Sequence, residues 1–178
     1  DIVLDGGPCR IGIESTIVDL SSGALRMLRP GAITKDDLAG ISHAPVDTYT
    51  NAVMRSPGMH SSHYAPRARV ILVSPQRIAA TLEAWCARGC RVGLLAAQPP
   101  TGHDGVTWLA LSETKAMQAQ ALFGKLREAD HLGLDVLVTV LPDVDGLGHA
   151  LRDRLQRAAG LGNDADPDAE PEHGRASS

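Results

Sequence analysis

Asp135–Leu141, "DVLVTVL", is the stretch whose reading decides the fold. After its leading aspartate the run is apolar except for Thr139, and it does not alternate between polar and apolar positions. A strand with one wet face alternates, whereas an unbroken apolar run suits a strand covered on both faces. Three more runs of this type occur: "VILVS" (70–74), "RVGLLAA" (91–97) and "VTWLAL" (106–111). Between and after them lie helical patterns, "PQRIAATLEAWCARG", "ETKAMQAQALFGKLREAD" and "GLGHALRDRLQRAAG". In the second of these, Ala119, Leu122, Phe123 and Leu126 fall at helical spacing and make one apolar stripe. Strand–helix alternation predicts an α/β unit with a parallel sheet in three layers over residues 70–160.

Upstream the rhythm differs. Residues 1–40 read as β structure: "DIVLDGG" as a first strand, then "ESTIVDL", then "ALRMLRPG" after a hairpin loop at "SSG". Thr34 before "KDDLAGI" is an N-cap signal with acids in the first turn. Three short strands cannot bury both faces of a sheet alone, so this part reads as a portion of a sheet. The chain opens in what reads as mid-strand, which points to an upstream portion. Residues 41–69 carry no sustained hydrophobic period and read as a linker. Residues 161–178 read as a disordered tail, being acidic and without large apolar side chains from Gly162 onward.

Bulk composition removes several functions. The 178 residues carry a net charge of −4 with signs mixed along the chain, unlike a basic nucleic-acid surface. Aromatic residues are 3%, too few to build stacking platforms for single strands. The 3 cysteines make no disulfide framework, and "CARGC" lacks a second pair at zinc-ligand spacing. No apolar run reaches the roughly 20 residues of a membrane span, and no signal peptide is visible, so a cytoplasmic location is expected.

The candidate chemistry sits in three places. "GGPCRIGIEST" sets a glycine-rich turn before Glu14, Ser15 and Thr16, where two adjacent hydroxyls could orient a polar substrate. Its local pattern equally fits a tight turn before a half-buried strand. Arg29, just before Pro30-Gly31, could clamp phosphate bidentately, or simply sit exposed at a sheet rim. "SPGMHSSHYAPR" (56–67) holds His60, His63 and Tyr64 between prolines, more functional groups than a spacer needs. The histidine pair lacks the third ligand of a catalytic zinc site, and no metal is assigned. "GLGHA" (146–150) has an incomplete dinucleotide fingerprint and reads as a loop-to-helix turn, which leaves a nicotinamide-dependent oxidoreductase without support. "LREAD" and "RDRLQR" read as solvated helix faces.

In order, "DGGPCRIGIESTIVDL", "LRPGAIT", "SPGM…SHYAPRA" and "GLGHALRDRLQRAA" resemble the long form of threonylcarbamoyl-AMP synthase, from Asp1 to about Gly160. The resemblance implies the C-terminal edge of a twisted α+β, nucleotide-binding catalytic domain (1–40), a lid-like linker (41–69) and a small Rossmann-like domain with a three-layer parallel sheet (70–160). It implies a reaction of L-threonine, bicarbonate and ATP, with magnesium on the nucleotide. The products would be threonylcarbamoyl-adenylate and pyrophosphate. A separate transferase complex would then use the adenylate to modify adenosine 37 of tRNA.

Residue by residue, the resemblance places Ser15 on threonine, with Thr16 as the alternative. It places Arg29 on the nucleotide phosphates, and His63 and Tyr64 over the nucleotide as a lid. His60 departs from the family pattern after "PGM". The family's upstream basic and Ser-x-Asn motifs have no counterpart in these residues, so the chain by itself is expected to be inactive. The competing reading is a non-catalytic α/β regulatory or binding module with a docking arm.

Overall fold

The computed structural model describes residues 2–7, 9–21, 23–48 and 65–160. His60, His63 and Tyr64, and the tail from 161, lie outside these described residues.

A small sheet comes first. Strand β1 (Ile17–Asp19) pairs antiparallel with β2 (Arg26–Arg29) through the expected turn. Helix α1 (Lys35–Ser42) follows, and β3 (Asp47–Thr48) pairs parallel with β2. Thr34 begins α1 as the sequence predicts: its hydroxyl accepts the Asp37 N–H, while the Asp37 carboxylate accepts the Thr34 N–H. The order of this sheet is β1-β2-β3.

The expected first strand does not form among the described residues. Residues 2–7 are irregular, and Ile2, Val3 and Leu4 are about nine-tenths exposed. An extended segment becomes a strand only by exchanging backbone hydrogen bonds with a neighbour, and among the described residues β1 pairs with β2 alone. The third strand of the sheet is Asp47–Thr48 instead, from the stretch read as linker.

The larger unit matches the expected three layers. Strands β4 (Arg69–Leu72), β5 (Val92–Ala96), β6 (Thr107–Ala110) and β7 (Val136–Thr139) form a parallel sheet in the order β4-β7-β5-β6. A single 3-10 turn at Pro75–Arg77 leads into α2 (Ile78–Cys86), and α3 (Lys115–His131) and α4 (Gly148–Ala158) complete the helices of this unit. Alternation along β7 divides the core. Val136 and Val138 face Leu82 of α2, together with Val73, Val92 and Leu94. Leu137 faces the other layer, with Leu122 and Leu126 of α3 and Leu151 and Leu155 of α4. All four residues of β7 are buried, which is why its sequence does not alternate.

β5 and β6 are joined by residues 97–106, where the sequence carries no helical pattern and the structure has no helix. The exposure of β6 does differ from the sequence reading. β6 is an edge strand, with only Leu109 buried, so Trp108 of "VTWLAL" is 41% exposed rather than doubly covered. Its indole N–H donates to the Ala96 carbonyl, tying the edge to its neighbour.

Carboxylates hold the amino ends of the strands. Asp130 accepts from the Arg67 and Ala68 N–H groups at the entry to β4. Asp135 accepts the Arg91 N–H at the entry to β5. That backbone bond, and then the Arg91 side chain, hold the Asp135 carboxyl below its ordinary value of 3.8. A lowered folded-state pKa means the carboxylate stabilises the fold above 3.8 and loses that contribution as pH falls through the lowered value. Asp135→Asn, which mimics the protonated acid, is therefore expected to lower the melting temperature at pH 7. Its deficit relative to the parent should shrink as pH drops below 3.8, and a deficit that is constant with pH would exclude this role.

Leu137 is fully buried at the centre of the sheet. Leu137→Ala should cost about 2–5 kcal/mol in chemical denaturation, through lost transfer energy plus a cavity, with the denaturant slope unchanged.

Candidate functional site

The site is built on residues 12–16 and the turn that follows β2. Gly31 is buried where this turn crosses the other segment. A Cβ at Gly31 would lie 2.4 Å from the Thr16 nitrogen and 2.6 Å from the Glu14 carbonyl oxygen, so only glycine permits the approach. The two backbones are then stitched together through Thr16. Its hydroxyl donates to the Ile33 carbonyl at 2.7 Å and accepts the Ile33 N–H at 3.1 Å.

That crossing sets Arg29 against Ser15. The Arg29 Nε donates to the Ser15 carbonyl at 3.0 Å, and Nη2 donates to the Ser15 Oγ at 3.0 Å. The guanidinium is thus locked in orientation by its own fork. Ser15 is exposed, and its hydroxyl, used here as an acceptor, keeps its proton to donate. A fixed cation beside an exposed hydroxyl is suited to an anionic, hydrogen-bonding ligand such as a carboxylate or phosphate. Thr16 differs from its neighbour, because its hydroxyl already serves as donor and acceptor within the fold.

Ser15, Thr16 and Arg29, which lie up to 14 residues apart in sequence, therefore converge as one group. His63 and Tyr64 fall outside the described residues. No group of three or more metal-ligating side chains occurs among the described residues, and no helix among them is long and apolar enough to cross a membrane.

The other side of the segment carries residues to which the sequence reading gave no role. Gly12 has φ +80°, and a Cβ there would sit 2.4 Å from the Gln120 Cα, so the segment lies directly on α3. Ile13 packs on the core layer shared by α3 and α4. Glu14 reaches α4, where its Oε2 accepts from the Arg154 Nε at 2.5 Å. Arg154 Nη1 also donates to Asp153, and Asp153 accepts from Arg157 Nε at 3.0 Å and Nη2 at 2.8 Å.

This overturns the reading of "RDRLQR" as a solvated face. Asp153, Arg154, Gln156 and Arg157 are all buried, at 4–8% exposure. Helix α4 packs its leucines on the sheet, and the segment ending at Glu14 reaches its charged side. The available signal was the lone carboxylate of Glu14 in an apolar context, "RIGIEST", which needs a cationic partner once covered. By contrast Arg127 of "LREAD" is exposed, as expected.

The family model described as threonylcarbamoyl-AMP synthase, C-terminal domain, matches residues 31–160. The chain is 32% identical over 171 residues to threonylcarbamoyl-AMP synthase of Pyrococcus abyssi, covering 90% of this chain and 49% of that protein. It is 34% identical over 168 residues to the Bacillus subtilis enzyme of the same name, covering 89% and 48%. The chain thus spans about half the length of the curated relatives it matches.

The crystal structure of Pyrococcus abyssi Sua5 complexed with L-threonine superposes with a TM-score of 0.78 at 31% identity, over 88% of this chain and 48% of that one. A variant of the same protein, with a histidine and the tyrosine after it replaced by alanine, superposes with a TM-score of 0.76 at 28% identity, over 88% and 47%. With a family model matching most of its length, the chain belongs to the threonylcarbamoyl-AMP synthase family and corresponds to its C-terminal portion.

Proposed function

We propose that the full-length protein joins L-threonine, bicarbonate and ATP into threonylcarbamoyl-adenylate and pyrophosphate. The observation that carries this reading is the locked Arg29–Ser15 pair, set within a chain similar to a protein crystallised with L-threonine. Ser15 is assigned to threonine, because its hydroxyl is exposed and retains a donor proton. Thr16, occupied by Ile33, is assigned to shaping the pocket. Arg29 is assigned to the nucleotide phosphates.

In the reaction, the threonine amine condenses with bicarbonate with loss of water, and a carboxylate oxygen of the resulting carbamate attacks the α-phosphorus of ATP. A new oxygen–phosphorus bond forms as the bond to pyrophosphate breaks. Such a step needs alignment and charge stabilisation rather than a protein nucleophile. Magnesium enters as part of the substrate, carried on the nucleotide's phosphate oxygens.

The linker is assigned to closure over the site. This chain has one adjacent histidine–tyrosine pair, His63–Tyr64, and the pair replaced in the Pyrococcus abyssi variant has the same two residue types. Excluding water at that point would protect a mixed anhydride that hydrolyses readily. The adenylate produced is assigned to a downstream threonylcarbamoyl transfer to tRNA.

Two substitutions in the full-length protein test these assignments, with pyrophosphate release as the readout. Arg29→Ala should lower turnover by about 100-fold or more if it removes a phosphate clamp. Ser15→Ala should raise the KM for L-threonine while leaving the KM for ATP largely unchanged. Near-parental kinetics for Arg29→Ala would rule out its role, and an unchanged threonine KM would rule out that of Ser15.

A further inference from the structure

We infer that Arg154, on the last helix of the C-terminal unit, is a positioning residue for the substrate site, acting through Glu14 on Ser15. This inference rests on the assignment of Ser15 to threonine. Its physical basis is independent of that assignment and lies in the burial and connectivity of Arg154.

The Arg154 side chain is 3% exposed and lies more than a hundred residues from Glu14 in sequence. It nevertheless meets the Glu14 carboxylate at 2.5 Å. Glu14 precedes Ser15 directly, so the carboxylate held by Arg154 and the hydroxyl held by Arg29 sit on consecutive residues. The short segment is therefore fixed from two sides, by α4 through Glu14 and by the β2 turn through Ser15 and Thr16. Gly12, pressed on α3, closes its third restraint.

Stability alone does not account for Arg154. A buried ion pair is often no more stabilising than well-packed apolar residues of the same volume. Arg154 moreover leaves Nη2 buried without a hydrogen-bond partner among the described residues, a further penalty. Charge balance is kept locally, with Glu14 and Asp153 against Arg154 and Arg157. What the guanidinium provides that an apolar residue does not is direction: a charge-assisted bond that sets where Glu14, and hence Ser15, can lie. On this reading the C-terminal unit is part of the threonine site without touching threonine.

The test compares Arg154→Met, Arg154→Lys, Glu14→Gln and Ser15→Ala in the full-length protein. L-Threonine affinity is measured by calorimetry, at a temperature where circular dichroism shows each variant folded. Arg154→Met and Glu14→Gln should weaken threonine binding by about tenfold or more, the size expected for losing one charge-assisted hydrogen bond. The double variant should be no weaker than the worse single one, because both remove the same bond. Arg154→Lys, which keeps the charge, should recover part of the affinity.

If Arg154→Met does not fold, Glu14→Gln decides alone, since it keeps the side chain's shape and removes only its charge. Threonine affinity within about twofold of the parent in Glu14→Gln, alongside a weakened Ser15→Ala, would overturn the role of Arg154 and leave that of Ser15 standing. An unchanged Ser15→Ala would overturn both.

Discussion

The buried contact between Arg154 and Glu14 is the constraint on which the arrangement of this chain depends. It joins a short segment near the start of the chain to the last helix of the larger unit. Burying the guanidinium requires acceptors, and the segment brings one while Asp153 supplies the other. The approach is close enough that Gly12 must lie almost on the α3 backbone. With that contact made, the segment has little freedom left, and the crossing at Gly31 carries its order to Arg29.

How much of this was legible in the sequence depended on distance along the chain. The parallel sheet was readable because doubly covered strands leave an unbroken apolar signature, clearest in β7. Thr34 announced α1 through its capping box, a purely local interaction. Where partners are remote, the sequence was silent or misleading. Ile2–Leu4 has strand composition but no ladder partner among the described residues, while Asp47–Thr48 has weak strand character and pairs because β2 offers an edge. Trp108 looked like core, yet its strand lies at the margin of the sheet.

The candidate site divides in the same way. Ser15, Thr16 and Arg29 were found from short motifs and family resemblance, and the fold brings them within hydrogen-bond reach of one another or of a shared turn. Glu14 and Arg154 were not found, because each looks ordinary alone. A charged helix repeat such as "RDRLQR" reads as solvated unless the element covering it is known, and that element lies at the other end of the sequence. Family membership accounts for the motifs, and the geometry suggests why they sit next to a glutamate.

Hydrogen exchange of the full-length protein, with and without L-threonine, addresses the coupling between the two units. Threonine should slow exchange at residues 12–16, at residues 29–33 and along α4 together, because one segment connects all three. Protection confined to 12–16 and 29–33, with α4 unaffected, would contradict a link through Arg154, and no protection at 12–16 would remove the segment from the site altogether.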